Sequence, residues 1–506
     1  MSKPRPKQGL MLRASLKNRA AMAGRLVNEV VSFVVFTVLD LLDVVLCLAY
    51  KLLDYAFEAE WKPCYCSSSA REMITSSGKI LVSERGGGSK VVCLCSSKIH
   101  LEDISDTLYS RPPLLSELSR STMTELRRLG STRSHAASVT TFTINSTIVE
   151  MLEGKIGGRK SDPVPRWSDC ACKRCTGWCS PSASGDLYVH AQYPPDGAVA
   201  AEDVLFIHGF ISSSAFWTET VFPNFSEAAK SRYRFFAVDL LGFGRSPKPA
   251  DSLYTLREHV DMIERSVLKR YRVQSLHIVA HSLGCILALA LAVKYPDAIK
   301  SLTLLAPPYF PVPKGVQGTQ YVLRRVAPRR VWPLIALGAS VACWYEHISR
   351  TVSLLMCRHH RFWEFLFRLL TFNRIRTFLM EGFFCHTHNA AWHTLHNIIC
   401  GSAGKIEGYL DTVREKMRTC EVTILHGSDD DVLPVSCSSA VKSRVPRANL
   451  RLINGKDHIT IVIGRQKAFT RELEQIWAAA NLKANFTRRT LMETKRQKAE
   501  GGRGDL

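Results

Sequence analysis

Three side chains that together could perform acyl transfer stand in order along the carboxyl-terminal half of the sequence. Ser282 follows a short apolar run and directly precedes a helical stretch, with the small residues Ala280 and Gly284 two positions to either side. This spacing resembles a nucleophile elbow, in which a serine projects from a tight turn between a strand and a helix. The usual motif has glycine where Ala280 stands. A serine hydroxyl attacks an ester only when a base takes its proton and a third group orients that base.

The base and the acid that such a serine needs follow it along the chain. We predict His458 as the base and Asp430 as the acid, because each stands just beyond an apolar run and the order Ser, Asp, His is that of α/β-hydrolases. Asp430 fits a GxxDxxxP spacing common among hydrolase acids. Asp429 and Asp431 stay open as alternatives, since spacing alone does not show which carboxylate faces the histidine.

Acyl transfer also needs N–H donors aimed at the developing oxyanion. In hydrolases of this kind, one donor is the backbone N–H after the serine and the other comes from the loop after the third strand. These positions correspond here to Leu283 and Phe210. We expect the neighbouring His208 and His281 to be structural, because the predicted triad already has its base.

Seven apolar runs predict the sheet that positions these residues. Continuous apolar runs separated by helical stretches are typical of buried parallel strands covered by helices on both faces, so the predicted fold class is a doubly wound, mostly parallel α/β sheet. The runs are residues 187–193, 203–208, 234–239, 275–280, 301–306, 421–426 and 449–454. Between 307 and 420 the alternation stops for far longer than an ordinary connection, which predicts an inserted helical lid. The lid residues His386 and His388 could gate substrate or bind a metal, and we favour packing or surface roles for both.

This pattern divides the chain into five predicted parts. They are a basic amino terminus with an apolar signal or anchor (1–60), a cysteine-rich module or linker (61–180), the hydrolase core (181–306 and 421–482), the helical lid (307–420) and a basic tail (483–506). With 506 residues, 46% hydrophobic and 22% charged, the composition is that of a globular protein. It excludes a wholly disordered or multi-span membrane protein.

The formal net charge of +22 favours polyanionic surroundings. The excess of basic residues is spread along the chain, and no zinc-finger, RNA-recognition or helix-turn-helix signature accompanies it. We therefore expect a membrane surface or acidic cell-wall polymer as partner, and no nucleic acid.

An apolar segment from Val30 to Tyr50 follows a basic stretch, which is the order of an export signal or signal anchor. Asp40 and Asp43 interrupt it, and charge inside a bilayer is costly. A helix lying on a membrane or on the protein itself is therefore the alternative. Cys47 is a candidate for a lipid anchor.

Modification signals favour an exported protein. Glycosylation sequons begin at Asn145, Asn224 and Asn485, in agreement with a lumenal or extracellular body. Sixteen cysteines are many for a cytosolic enzyme, and four fall in the string CACKRCTGWC at 170–179. We interpret this cluster as disulfides in preference to zinc, since no second pair stands at finger spacing. We predict no metal ligands and no cofactor.

Several strings resemble the plant BODYGUARD family of extracellular, lysophospholipase-like α/β-hydrolases. They are CACKRCTGW at 170–178, the lid strings at 338–355 and 381–399, and KDHITIVIGRQK at 456–467. The resemblance implies a hydrolase of lipid or fatty-acyl esters that acts in cuticle and cell-wall formation. It also implies an extracellular or plasma-membrane-anchored location.

Two other functions fit the same residues. An acyltransferase or cutin polyester synthase would use the same triad and pass the acyl group to an alcohol; an HxxxxD transferase signature at the base is missing, since Ile463 stands where the aspartate would. A ligand-binding receptor or scaffold would keep the hydrolase fold without turnover.

Overall fold

A seven-stranded sheet with helices on both faces forms the centre of the protein. The computed structural model describes residues 8–58, 79–83, 89–93, 104–109, 169–170, 175, 185–195, 200–249, 252–370, 372 and 377–501. Two short strands, β1 (Lys79–Ser83) and β2 (Ser89–Cys93), pair as a separate antiparallel hairpin. The central sheet contains β3 (Val189–Gln192), β4 (Glu202–Ile207), β5 (Tyr233–Val238), β6 (Leu276–His281), β7 (Ile299–Leu305), β8 (Glu421–Gly427) and β9 (Asn449–Ile453). Each strand overlaps one of the seven predicted runs.

The strand order across the sheet is β3-β5-β4-β6-β7-β8-β9. All neighbours are parallel except β3, which lies antiparallel to β5 at one edge. The predicted fold class, a mostly parallel α/β-hydrolase sheet, is confirmed. Because parallel strands end at the same edge, the residues that follow β4, β6, β8 and β9 are brought together.

Helices cover the sheet and connect its strands. Those of the core are α2 (Ala215–Thr218), α3 (Glu227–Arg232), α4 (Leu256–Ile263), α5 (Gly284–Lys294), α12 (Ile406–Lys416), α13 (Val435–Arg444) and α14 (Gln466–Gly501). β6 lies in the middle of the sheet and all six of its residues are buried, the two histidines His277 and His281 as well as the apolar four. On one face α5 and α12 pack against it, and on the other the indoles of Trp217 and Trp477 are completely buried.

The predicted lid is helical. Its helices are α6 (Gly318–Val326), α7 (Leu334–Trp344), α8 (Glu346–Cys357), α9 (His360–Leu370), α10 (Thr377–Phe384) and α11 (His388–Thr394), with a π-helical turn over Leu395–Cys400. The next helix, α12, buries Ile406, Leu410 and Val413 in the hydrolase core. We therefore propose that the lid ends before Ile406. The short segment 104–109 is also attached to the lid, since the Ser105 N–H donates to Asn397 Oδ1 over 2.9 Å.

The amino-terminal helix α1 (Gln8–Glu58) packs against the lid. Its stretch Leu26–Tyr50 is long and apolar enough to cross a membrane, and it contains both acidic interruptions. Asp40 accepts hydrogen bonds from Arg329 (2.9 Å) and from the Tyr345 hydroxyl (2.6 Å). These contacts join the middle of α1 to the lid.

Asp43 caps helix α8. Its Oδ1 accepts the backbone N–H groups of His347 (3.0 Å) and Ile348 (3.1 Å), and its Oδ2 lies 3.3 Å from His347 Nδ1. The first N–H groups of a helix lack partners within the helix and favour a negative charge. Burial opposes protonation of His347, but hydrogen bonds to Asp43 and Cys47 outweigh it, so the pKa of His347 is raised. The two acids that interrupt the apolar segment are thus among the residues that attach it to the protein.

Candidate active site

Ser282 occupies a strained turn between β6 and α5. Its φ is +53°, in the left-handed region that costs a non-glycine residue energy. A Cβ at Gly284 would lie 2.7 Å from His208 O and 2.8 Å from Ile207 O. Only glycine therefore allows α5 to start so close to the end of β4. The resulting geometry is that of a nucleophile elbow, and the methyl group of Ala280 is accommodated, fully buried.

The loop after β4 lies against this elbow. A Cβ at Gly209 would approach Ser282 Cβ at 3.1 Å and His281 Nδ1 at 2.9 Å, so this glycine too is required for close approach. Phe210 comes next in the chain, and Leu283 follows the serine. Among the backbone hydrogen bonds of the described loops, none uses the N–H of Phe210 or of Leu283. Both predicted oxyanion donors therefore lie in backbone next to Ser282. Neither N–H donates to a main-chain carbonyl among these loop hydrogen bonds.

Asp430 and His458 are joined directly. His458 Nδ1 donates to Asp430 Oδ2 over 2.7 Å, and the Asp430 side chain is completely buried. Its other oxygen accepts the N–H groups of Val432 and Leu433, both at 2.8 Å. Burial alone would raise the pKa of Asp430, but hydrogen bonds from His426 and His458 outweigh it and hold that pKa well below its usual range. Asp430 is therefore a carboxylate that fixes the orientation of the His458 ring.

The other two candidate acids do not lie in this arrangement. Asp429 accepts the hydroxyl of Ser428 over 2.7 Å and is exposed, as is Asp431. Of the three neighbouring carboxylates, Asp430 is the one that contacts the imidazole of His458.

His458 lies beside the turn that carries Ser282. His281 Nε2 donates to the His458 carbonyl over 2.9 Å, and the two imidazole centroids are 4.7 Å apart. Backbone hydrogen bonds also join the strand ends, from Ser282 N to Leu305 O (2.8 Å) and from Ala306 N to Leu425 O (2.9 Å). The turn of Ser282, the imidazole of His458 and the carboxylate of Asp430 therefore lie at the same edge of the sheet.

Two histidines beside the site, His281 and His208, are neutral. Burial, together with the adjacent His458, lowers the pKa of His281 to about 3. Burial also lowers the pKa of His208, whose Nδ1 donates to Gly209 O while its Nε2 accepts the Leu240 N–H. Neither ring nitrogen of His208 is left to act as a base, which agrees with the structural role expected for it.

Sequence analysis missed His426. This buried residue is the last but one of β8. Its Nε2 donates to Leu433 O (2.9 Å) and lies 3.3 Å from Asp430 Oδ2, and its Nδ1 is 2.6 Å from Ser438 Oγ. His426 therefore connects β8 to the loop that carries Asp430. Its position four residues before Asp430 at a strand end is the only sequence signal that could have indicated this role.

A cavity of about 450 Å³ lies between the sheet edge at β3, helix α2 and lid helix α10, and its lining includes none of the three triad residues. Charged side chains line it, Glu219, Arg245 and Glu381 among them. Asp239, another lining residue, accepts the N–H groups of Ser214 (2.5 Å) and Arg245 (2.7 Å) and so shapes the adjoining loops. Apolar side chains, Phe222 and Pro223 among them, line the cavity as well, so it is of mixed polar and apolar character.

Lid residue His386 contacts the core at Phe243, next to Phe210 of the loop after β4. It forms an isolated β-bridge with Phe243, whose ring packs against Phe210 with centroids 5.9 Å apart. Burial lowers the pKa of His386 to about 4, so the ring is neutral. The His388 ring lies 6.0 Å from that of Trp392, tilted by 36°. Both contacts agree with the packing roles expected for these histidines.

The predicted modification sites differ in their surroundings. Cys47 is 5% exposed and contacts His347, so an acyl chain there would require α1 to leave the lid. The Asn224 side-chain amide, to which a glycan would attach, donates to Thr220 O over 2.7 Å. Asn145 and the side chain of Asn485 lie outside the described residues.

The disulfides expected at 170–179 are absent where the structure describes this string. Cys170 and Cys175 are both thiols, and both lie next to the lid residue His360. Cys172 and Cys179 lie outside the described residues. Because about 190 residues separate the thiols from His360, this contact could not be predicted from local spacing.

Comparison with known proteins agrees with the fold and identifies relatives. A family model described as alpha/beta hydrolase fold matches residues 204–330. Probable lysophospholipase BODYGUARD 3 of Arabidopsis thaliana is 57% identical over 495 residues, which cover 92% of this chain and 99% of that protein. Probable lysophospholipase BODYGUARD 1 of the same plant is 58% identical over 465 residues, covering 90% and 97%. Among solved structures, MenH from S. aureus has a TM-score of 0.41 and 16% identity, covering 58% of this chain and 99% of that one. Since its relatives are this similar over most of both chains, the protein belongs to the BODYGUARD family.

Proposed function

We propose that this protein is a serine hydrolase of lipid or fatty-acyl esters. The observation that carries the proposal is the buried Asp430–His458 hydrogen bond beside the strained turn of Ser282. The relatives named probable lysophospholipase support the same substrate class. The mechanism follows from the order of these three groups.

In the proposed reaction, His458 Nε2 takes the proton of Ser282 Oγ while Nδ1–H stays hydrogen-bonded to Asp430. The serine oxygen attacks the ester carbonyl, and the N–H groups of Phe210 and Leu283 hold the negative oxygen of the tetrahedral intermediate. The imidazolium then gives its proton to the leaving alcohol, and an acyl-enzyme remains. Water, deprotonated by His458, releases the fatty acid and restores the serine.

Apolar surface on the lid favours a lipid substrate. Large hydrophobic side chains that are 45% exposed or more include Trp332, Leu334, Leu355, Phe362, Phe365, Leu369, Leu370 and Phe383. Soluble proteins rarely expose so many such side chains on neighbouring elements, and surfaces of this kind mark interaction with membranes or partners. A lid that presents them would bring the site to an aggregated lipid.

Helix α1 extends this apolar surface. Its exposed side chains include Leu26, Val27, Phe33, Val34, Val38, Leu41, Val45 and Leu48. Its opposite face is occupied by the hydrogen bonds of Asp40 and Asp43 to the lid. We therefore propose that α1 is retained as an anchor and lies along a membrane surface while attached to the lid, rather than crossing the bilayer. The basic net charge of +22 would strengthen binding to anionic lipid.

Labelling with a fluorophosphonate tests the catalytic proposal. The wild-type protein should be labelled once and should hydrolyse lysophospholipid, whereas Ser282→Ala should lose labelling and at least about 10⁴-fold in kcat. Ser443→Ala, at an exposed serine of α13, is the matched control and should behave like wild type. Turnover retained in Ser282→Ala would remove this serine from the mechanism.

A panel of acyl esters tests the substrate class. The family resemblance points to cuticle and cell-wall esters, so the panel should contain lysophospholipid, monoacylglycerol, hydroxy-fatty-acid esters and a short soluble ester. Preference for long acyl chains supports the proposal, and preference for the short ester contradicts it. Adding a hydroxy-acid acceptor separates hydrolysis from acyl transfer by the ratio of free acid to new ester.

A further inference from the structure

Two thiols and an imidazole converge where the cysteine-rich string meets the lid. The Sγ atoms of Cys170 and Cys175 lie 3.5 Å and 3.9 Å from the same nitrogen, Nδ1 of His360. All three ligand atoms lie within 4.8 Å of one another. Cys175 and His360 are buried, and Cys170 is partly so. We call these three residues the thiol–imidazole cluster.

Other thiols border the cluster. Cys385 follows α10, is 6% exposed and hydrogen-bonds the Cys175 thiol. Cys357, the last residue of α8, is also buried, and its carbonyl lies 3.0 Å from His360 Nδ1. The cluster thus joins Cys170 and Cys175 to the turn between α8 and α9 and to the end of α10.

The distances fit a tetrahedral zinc site. With Zn–S bonds of about 2.3 Å and Zn–N bonds of about 2.0 Å, neighbouring sulfur and nitrogen ligands are about 3.5 Å apart. The two observed sulfur–nitrogen distances, 3.5 Å and 3.9 Å, are close to this edge length. A disulfide would instead bring two sulfur atoms to about 2.05 Å, and both cysteines are thiols here.

Three groups surround one ring nitrogen of His360. A ring nitrogen offers one proton or one lone pair, yet two sulfur atoms and the Cys357 carbonyl all surround Nδ1. A cation bound by the nitrogen and both sulfurs would satisfy these ligands together. Thiolate and imidazole are the ligands that zinc prefers in structural sites, and a closed set of four contains no water.

We propose that Cys170, Cys175 and His360 bind a structural zinc ion, with Cys385 as the fourth ligand. Binding would displace the thiol protons to solvent, and the metal would be bound as Zn²⁺ without any change of oxidation state. The ion would cross-link the cysteine-rich segment to the lid. Since Cys385 precedes His386, which bridges to Phe243 beside the oxyanion loop, the site would also fix the lid where it meets the core. This inference does not depend on the catalytic proposal.

Metal content and a spectroscopic probe test the site on the full chain. Protein purified from plant cells without chelator should contain about one zinc per chain by plasma mass spectrometry. Co²⁺ exchanged into it should give the intense visible bands of tetrahedral cobalt and sulfur-to-cobalt charge transfer. His360→Phe and Cys170→Ser should each lower zinc at least tenfold, whereas His360→Cys should restore it because it supplies another thiolate. Cys420→Ser, at a buried thiol of the sheet, is the matched control and should keep the metal.

Three outcomes would overturn the proposal. One is wild-type protein without zinc whose peptides carry a Cys175–Cys385 disulfide. A second is zinc that remains in His360→Phe and Cys170→Ser, which would mean that the ion binds elsewhere. The third is a wild-type cobalt spectrum without sulfur-to-cobalt charge transfer, which excludes thiolate ligands. This measurement needs no variant, so it decides the question even if the variants do not fold.

Discussion

His458 Nδ1 donates its proton to Asp430 Oδ2 over 2.7 Å, and the exposed Asp429 next to it has no such contact. Asp430→Asn should therefore lower kcat by roughly 10³ to 10⁴-fold, because an amide no longer holds the imidazole in the tautomer that accepts the serine proton. Steady-state kinetics on a long-chain ester measures the change. Asp429→Asn is the control, and its kcat should stay within about twofold of wild type. Equal losses of kcat in both variants would contradict the proposal that Asp430 is the acid that orients His458.

His426 should act as a positioning residue for that acid. His426→Gln removes the imidazole 3.3 Å from Asp430 Oδ2, so kcat should fall about tenfold with little change in KM. The pH profile should shift as well, because hydrogen bonds from His426 and His458 together hold the pKa of Asp430 down. Ser438→Ala, which removes the contact at the other ring nitrogen, should have a smaller effect in the same direction. A loss confined to thermal stability would contradict the positioning role.

The turn at Ser282 should tolerate no side chain at Gly284. In Gly284→Ala the new methyl would lie 2.7 and 2.8 Å from two backbone carbonyl oxygens, and relief of such overpacking costs about 1–3 kcal/mol. We expect a lower melting temperature and loss of labelling at Ser282. Gly408→Ala in α12 is the matched control, since its Cβ would meet nothing within 4 Å; alanine there should be neutral or stabilise by up to about 1 kcal/mol. Full activity in Gly284→Ala would show that the elbow can relax.

Much of this geometry follows from residues that are neighbours in the sequence. The strands and the turn at Ser282 could be predicted because each depends on a local apolar run or a short spacing. The triad stays a prediction, of which the structure shows the Asp430–His458 contact. The attachment of α1 could not, because Asp40 pairs with Arg329, 289 residues away, and its charge argued only against a membrane span. The position of α12 in the core could not be predicted for a similar reason, since Ile406, Leu410 and Val413 pack against core residues that are distant in the sequence.

Acid should destabilise the protein partly through Glu202. Burial raises the pKa of this carboxyl, but hydrogen bonds from His277, Lys300 and Asn481 outweigh it and lower the pKa from 4.5 to about 2. The stabilisation is therefore complete above the unfolded value of 4.5 and is lost as pH falls toward 2. Urea unfolding of wild type and Glu202→Gln between these values should show a steeper pH dependence in wild type. Parallel curves would contradict the assignment.

Attachment of α1 should contribute to the stability of the lid. Asp43→Leu leaves the first N–H groups of α8 without their acceptor, which costs about 1–3 kcal/mol. We expect a lower unfolding temperature and faster cleavage by protease between α1 and the rest of the chain. Glu29→Gln changes an exposed charge on the same helix and is the control. Unchanged protection in Asp43→Leu would show that α1 is held by other contacts.

The hydrogen bonds from α8 to Asp43 couple movement of α8 to movement of α1. As long as both backbone N–H groups are bound to that carboxylate, α8 cannot tilt without displacing α1. If α1 rests on a bilayer, opening of the lid would be sensed and resisted by the lipid surface itself. Esters would then enter from, and fatty acids return to, the leaflet beneath the enzyme, so turnover would depend on the lateral pressure and composition of that leaflet.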